Sequence, residues 1–167
     1  MVYRRNFLKE DQIAIIPKNG YRWADNQSSS AIEWILWEQQ QRNITIKSAA
    51  TGKEHKVFGL KVDGFCEETK EIFEFHGCFY HGCTKCFLHG RNKTLYSEDN
   101  ISMNLRYAAT LEKSAHLRKL GYRVVEMWEC EFKNLLTVDE RQELKKNPLL
   151  NKTPLNPRDS FLRWSYG

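Results

Sequence analysis

The chain has 167 residues, a length that suits one domain with a real hydrophobic core, and its 5 Trp, 7 Tyr and 9 Phe exclude a disordered composition. A net charge of +5 and a pI near 8.9 lean toward polyanionic partners. No apolar run approaches the roughly 20 residues of a membrane helix, and the opening MVYRRNFLKEDQ has neither an apolar h-region nor a small-residue cleavage site. An intracellular protein is expected, in which thiols stay reduced and clustered cysteines point to metal rather than disulfides.

Residues 1–27 read as a polar arm, with Ile13-Ala14-Ile15-Ile16 stopped by Pro17 and a turn at Asn19-Gly20. Tyr21 and Trp23 pack on the domain or touch DNA. Ser30-Ala31-Ile32-Glu33 fits a capping box, so a helix is expected from Ser30 to about Arg42, with Ile32, Ile35 and Leu36 on its apolar stripe. Strands follow over 44–46 and 56–62, joined by a turn around Thr51-Gly52. Asp63-Gly64 ends the second, and 67–70 is a polar turn. Residues 71–75 alternate with period two and form the next strand, which brings Asp63 and Glu74 to the same end of neighbouring antiparallel strands.

Residues 88–100 read as a loop. Ser102–Leu120 is helical, with Ala108, Leu111 and Ala115 on one face and Gly121 as its stop. Arg106, Lys113, Arg118, Lys119 and Arg123 make this region basic, which suits a solvated face or a DNA-facing one. Tyr122–Cys130 is a strong strand. Residues 134–167 read as a poorly packed polar tail with a short helix over 138–145.

Two constellations carry chemistry. Cys78, Cys83 and Cys86 are spaced C-x4-C-x2-C among glycines and polar residues, with Cys130 downstream; four thiolates are the ligand set of structural zinc. His81 or His89 are alternatives to Cys130, and Cys66 reads as a buried apolar residue. Asp63, Glu74 and His76 form D-x10-E-x-H, in which two hard carboxylates suit Mg2+ or Mn2+ and His76 orients water or moves protons. His81 reads as a zinc ligand, an acid/base or a structural histidine, and Glu33 as a capping residue or a member of the acidic centre. Phe79-Tyr80 are core aromatics or outward wedges that stack on bases.

EFHGCFYHGCTKC and GYRVVEMWEC closely resemble the very short patch repair (Vsr-type) endonucleases of the PD-(D/E)XK superfamily, over residues 28–132. The resemblance implies an α/β restriction-endonuclease-like fold: a mixed sheet flanked by helices, with a structural zinc site in a nuclease domain spanning 28–133. It implies Asp63 as the metal-binding aspartate, with the Phe75 carbonyl as a further ligand. His76 takes the superfamily's lysine position, His81 the second catalytic histidine and Glu33 the first-helix glutamate. Phe79 and Tyr80 fall on intercalating aromatics, and Cys78, Cys83, Cys86 and Cys130 on the zinc ligands. Arg106 and Lys113 are expected to contact DNA. The sequence departs from that family at Glu74, which replaces an apolar residue, and at Cys83, which replaces a histidine.

VDGF, EFHGC, HGC-x-x-C and PLNPRDSF also resemble a Vsr-like segment of protein-primed type-B DNA polymerases from Polinton/Maverick transposons and related viruses. That likeness implies a Mg2+-dependent DNA endonuclease serving a mobile element, a polymerase as partner and nuclear location in a eukaryote; a monomer or homodimer is expected, with no dimer signature in the sequence. The rival expectations are a zinc-stabilised DNA-binding module without catalysis, and an interaction domain that docks a polymerase.

Overall fold

The computed structural model describes residues 27–52, 54–93, 101–147 and 150. The expectations for the arm at 1–26, for 94–100 and for the tail at 151–167 lie outside these residues.

The first helix, α1 (Ser29–Arg42), begins earlier than the Ser30-Glu33 pattern suggests. Ser28 is its N-cap, with its Oγ accepting from Ala31 N at 3.1 Å, so the expected box between Ser30 and Glu33 is not formed. Any of the three serines could cap by composition. Ser28 wins beside Gln27, whose side chain is fixed by donating to the Asp63 carbonyl at 2.8 Å and accepting from Ala49 N at 2.9 Å.

The expected strand at 44–46 reduces to the short β1 (Lys47–Ser48), because Ile46 is buried in the core and its N–H goes to Gln39 Oε1. The expected strand at 56–62 is a hairpin, β2 (His55–Val57) and β3 (Leu60–Val62). Phe58 and Gly59 form its two-residue turn with φ of 46° and 84°. Positive φ at both positions matches the twist of the flanking strands.

β4 (Gly64–Cys66) and β5 (Glu71–His76) pair antiparallel, with Gly64 opposite Phe73. β5 then pairs in parallel with β6 (Arg123–Trp128). The result is a mixed four-stranded sheet ordered β1-β4-β5-β6. The β5–β6 crossover is the helix α2 (Met103–Lys119), since parallel neighbours need a long connection.

β5 is buried along its whole length. α1 covers one face, with Trp34 packed against Phe73 and Phe75 at ring distances of 5.9 and 6.0 Å. α2 covers the other, where Leu117 joins Ile72, Val57 and Val62 in a second apolar cluster. The period-two alternation of 71–76 therefore separates two buried faces rather than a buried face from a wet one.

Two boundaries differ from expectation. β6 stops at Trp128, and Cys130 lies in the first turn of α3 (Glu129–Leu135). The buried stripe of α2 is Met103, Thr110, Ser114 and Leu117, whereas Ala108, Leu111 and Ala115 face out. The polar Thr110 and Ser114 are buried because both bond side chains of the site described below. Finally, the tail's expected helix is present as α4 (Val138–Lys145), capped by a Thr137–Glu140 box; Leu136 and Leu144 are buried in the main core.

Gly64 ties this packing to Asp63. A Cβ there would lie 2.7 Å from Ile46 Cγ2, 3.1 Å from Phe73 Cβ and 3.2 Å from Ile35 Cδ1. Gly64→Ala is expected to lose about 1–3 kcal/mol through overpacking, read as a lower urea midpoint with an unchanged slope.

Candidate active site and metal cluster

The bend after β3 and the end of β5 bring two carboxylates together. Asp63 Oδ2 accepts the Phe75 N–H at 2.8 Å, continuing the β4–β5 ladder through a side chain. Glu74 projects from β5 toward α2, where Lys113 Nζ donates to its Oε2 at 2.7 Å. Its other oxygen, Oε1, is buried without a hydrogen-bond partner among the described residues. Burial pushes Glu74 up to about 7, with the neighbouring Asp63 charge adding to the push and Lys113 opposing it. Burial also raises Asp63, against the Phe75 N–H and Lys113; Glu54, which pairs with Lys61 at 2.8 Å, adds a further negative charge nearby. Two hard oxygen donors crowded this way suit a divalent cation, which would relieve the repulsion and fill the vacant valence of Oε1.

His76 lies on the same face of β5 as Glu74 and is almost fully buried. Its Nε2 is 3.1 Å from Glu126 Oε1 on β6, and its ring stands 4.9 Å from those of Trp128 and His81. His81 Nδ1 is 3.0 Å from Thr110 Oγ1, whose own proton goes to the Arg106 carbonyl at 2.9 Å. Thr110 must therefore accept from His81, which puts the proton on Nδ1 and the lone pair on Nε2. Burial lowers His81 to about 4, with His76, Lys113 and Arg106 adding to the shift, so the ring is neutral at physiological pH.

The four sulfurs of Cys78, Cys83, Cys86 and Cys130 lie within 4.8 Å of one another, a set that could hold a metal ion and is compatible with structural zinc. The parallel sheet explains the convergence. His76 is opposite Trp128, so Cys78 and Cys130 each follow two residues beyond paired positions. Turns with Cys83 N bonded to Cys78 O and Phe87 N to Cys83 O fold the loop back. Gly82, at φ 63°, passes so close to α2 that a Cβ would meet the Met103 carbonyl at 2.2 Å. Arg91 donates to the carbonyls of Gly82, Cys83 and Phe87 and holds the loop from outside. His81 points to Thr110 and His89 is exposed, so Cys130 completes the cluster; Cys66 is buried in the core.

The remaining expectations divide. Phe79 and Tyr80 are exposed next to the cluster, and the Arg106 guanidinium lies 5.3 Å from the Phe79 ring centre. Lys113, expected to contact DNA, donates to Glu74 Oε2. Glu33 stands on the α1 side, in a cavity of about 290 Å³ with Ser29, Ser30, Phe75, Lys133, Arg141 and Lys145. Sequence reasoning missed Glu126 and the roles of Lys113, Thr110 and Ser114. Glu126 had a signal, as a lone acid within the apolar run of YRVVEMWEC.

Over 91 residues the chain is 31% identical to the type II nicking enzyme V.NmeAIP of Neisseria meningitidis serogroup A / serotype 4A (strain DSM 15465 / Z2491). The alignment covers 53% of this chain and 63% of that enzyme, so the chain spans less than two thirds of the relative's length. The similarity is to a nuclease. No protein-family model matches the chain, and no solved structure matches it.

Cys83→Ser tests the cluster. Bound zinc is expected to fall to background by metal analysis and the melting temperature to drop sharply, since structural zinc supplies on the order of 10 kcal/mol in small sites.

Proposed function

We propose that this protein is a DNA endonuclease that hydrolyses phosphodiester bonds with Mg2+ or Mn2+ at Asp63 and Glu74, around a structural zinc held by Cys78, Cys83, Cys86 and Cys130. The observation that carries the reading is the buried, unpartnered Glu74 Oε1 beside Asp63. A carboxylate oxygen without water or a donor is costly, and a cation bound by both carboxylates and the Phe75 carbonyl removes that cost. Similarity to a nicking enzyme supports the same reaction class.

When bound, the cation supplies charge for the phosphate oxygens and acidifies water. The chain's own groups do the rest. Lys113 balances the carboxylates and adds positive charge where the phosphate approaches. His81, held by Thr110, stands beside His76 at the same centre. Phe79 and Tyr80 present exposed rings for stacking on bases, and Arg106 lies beside them to meet the backbone. Glu33 stands on the α1 side of β5, where Phe75, Lys145 and Arg141 line the same cavity. A mobile-element setting with a type-B polymerase as partner belongs to this reading, supported by the VDGF and PLNPRDSF likeness alone.

The test is cleavage of supercoiled plasmid by the full chain in Mg2+ or Mn2+. Asp63→Ala is expected to lower the rate roughly 10²-fold or more, equivalent to about 3 kcal/mol of transition-state stabilisation, while DNA binding and zinc content persist. Wild-type cleavage unchanged in Asp63→Ala overturns the site; DNA binding without cleavage in either metal turns the reading to a silent zinc-stabilised binding module.

A further inference from the structure

The group that holds His76 lies on a different strand and has no place in the sequence motif. Glu126 Oε1 accepts from Ser114 Oγ at 2.5 Å and faces His76 Nε2 at 3.1 Å, while Arg118 donates to Oε2. Ser114 and Arg118 both donate to this carboxylate. It is accordingly held down to about 2, with the His76 bond the largest cause, and is a carboxylate at any physiological pH. An ionised carboxylate only accepts, so the proton between it and His76 belongs to Nε2.

With Nε2 as the donor, the lone pair of the imidazole lies on Nδ1. Nδ1 is buried and has no hydrogen-bond partner among the described residues, as Glu74 Oε1 also has none. Two unpartnered acceptors thus occur two residues apart on one face of β5, beside Asp63. Glu74 and Glu126 are themselves register partners across the β5–β6 pair, so the neighbouring strand seats the group that prepares the second acceptor directly beside the first.

We infer that Glu126 is a positioning residue for hydrolysis: it fixes His76 as the Nε2–H tautomer and thereby makes Nδ1 the proton acceptor of the centre. The inference rests on the nuclease reading above and names how its histidine is prepared. In the step, a water oxygen bonds to phosphorus and its proton passes to Nδ1. The bond from phosphorus to the departing sugar oxygen breaks, and that oxygen takes a proton from solvent. A carboxylate that holds an imidazole in one tautomer gains catalysis without touching substrate.

The experiment uses zinc-loaded full chain with 15N-labelled histidine, whose long-range proton–nitrogen spectrum reports the tautomer of each ring. Wild-type His76 is expected as Nε2–H. In Glu126→Gln, Arg118 claims the amide oxygen and leaves the NH2 group facing His76, so the ring is expected to switch to Nδ1–H. On plasmid DNA the same variant should lose kcat by roughly 10²- to 10⁴-fold with KM, zinc content and melting temperature little changed. Wild-type His76 as Nδ1–H overturns the assignment without any variant, and so does full kcat in a folded Glu126→Gln. A wild type that cleaves no DNA sinks the nuclease reading, while the tautomer spectrum still decides whether Glu126 sets the ring.

Discussion

The structure depends on a strand that is buried on both faces yet carries three ionisable side chains. β5 runs between α1 and α2, and Glu71, Glu74 and His76 all lose their water there. Burial of such groups without partners would cost several kcal/mol each. Neighbouring elements answer each one: Arg42, Arg123 and Thr69 at Glu71, Lys113 at Glu74, Glu126 at His76. These demands explain why α2 buries Thr110 and Ser114 instead of alanines, and why β6 carries an acid in an apolar run. Glu74 Oε1 and His76 Nδ1, both buried without a hydrogen-bond partner among the described residues, fall next to Asp63, where a functional centre has reason to leave them.

Parallel pairing of β5 with β6 does the rest of the organising. It places the exits of both strands side by side, so Cys78 and Cys130 meet although more than fifty residues separate them in sequence. A metal at that point would tie the loop carrying Phe79, Tyr80 and His81 to the strand ends that carry Glu74 and His76. The cysteine cluster and the carboxylate centre are therefore two consequences of one strand pair. Gly82 and Arg91 press the loop against α2, which also supplies Thr110 to His81 and Lys113 to Glu74.

Much of this was legible in the sequence where the signal is local. C-x4-C-x2-C marks convergent sulfurs, and the alternation at 71–75 marks the strand that Asp63 faces. The short helix expected over 138–145 is present with those bounds. Signals failed where tertiary demand overrode local preference. Ala108, Leu111 and Ala115 read as a core stripe because they are apolar, yet α2 turns its polar Thr110 and Ser114 inward to satisfy His81 and Glu126. The run at 56–62 reads as one strand because Phe58 and Gly59 give no polar turn signal, although the backbone reverses there. Lys113 and Glu126 were beyond reach, since their roles come from which strands and helices become neighbours.

The most direct measurement is calorimetric titration of Mg2+, and then Mn2+, into the zinc-loaded chain and into its Glu74→Gln variant. The account predicts saturable binding by the wild type, with proton release on binding because Glu74 sits near 7, and loss of that binding in Glu74→Gln. Equal binding by both proteins, or no binding by a folded, zinc-loaded wild type, would contradict the claim that the buried carboxylate pair is a cation site.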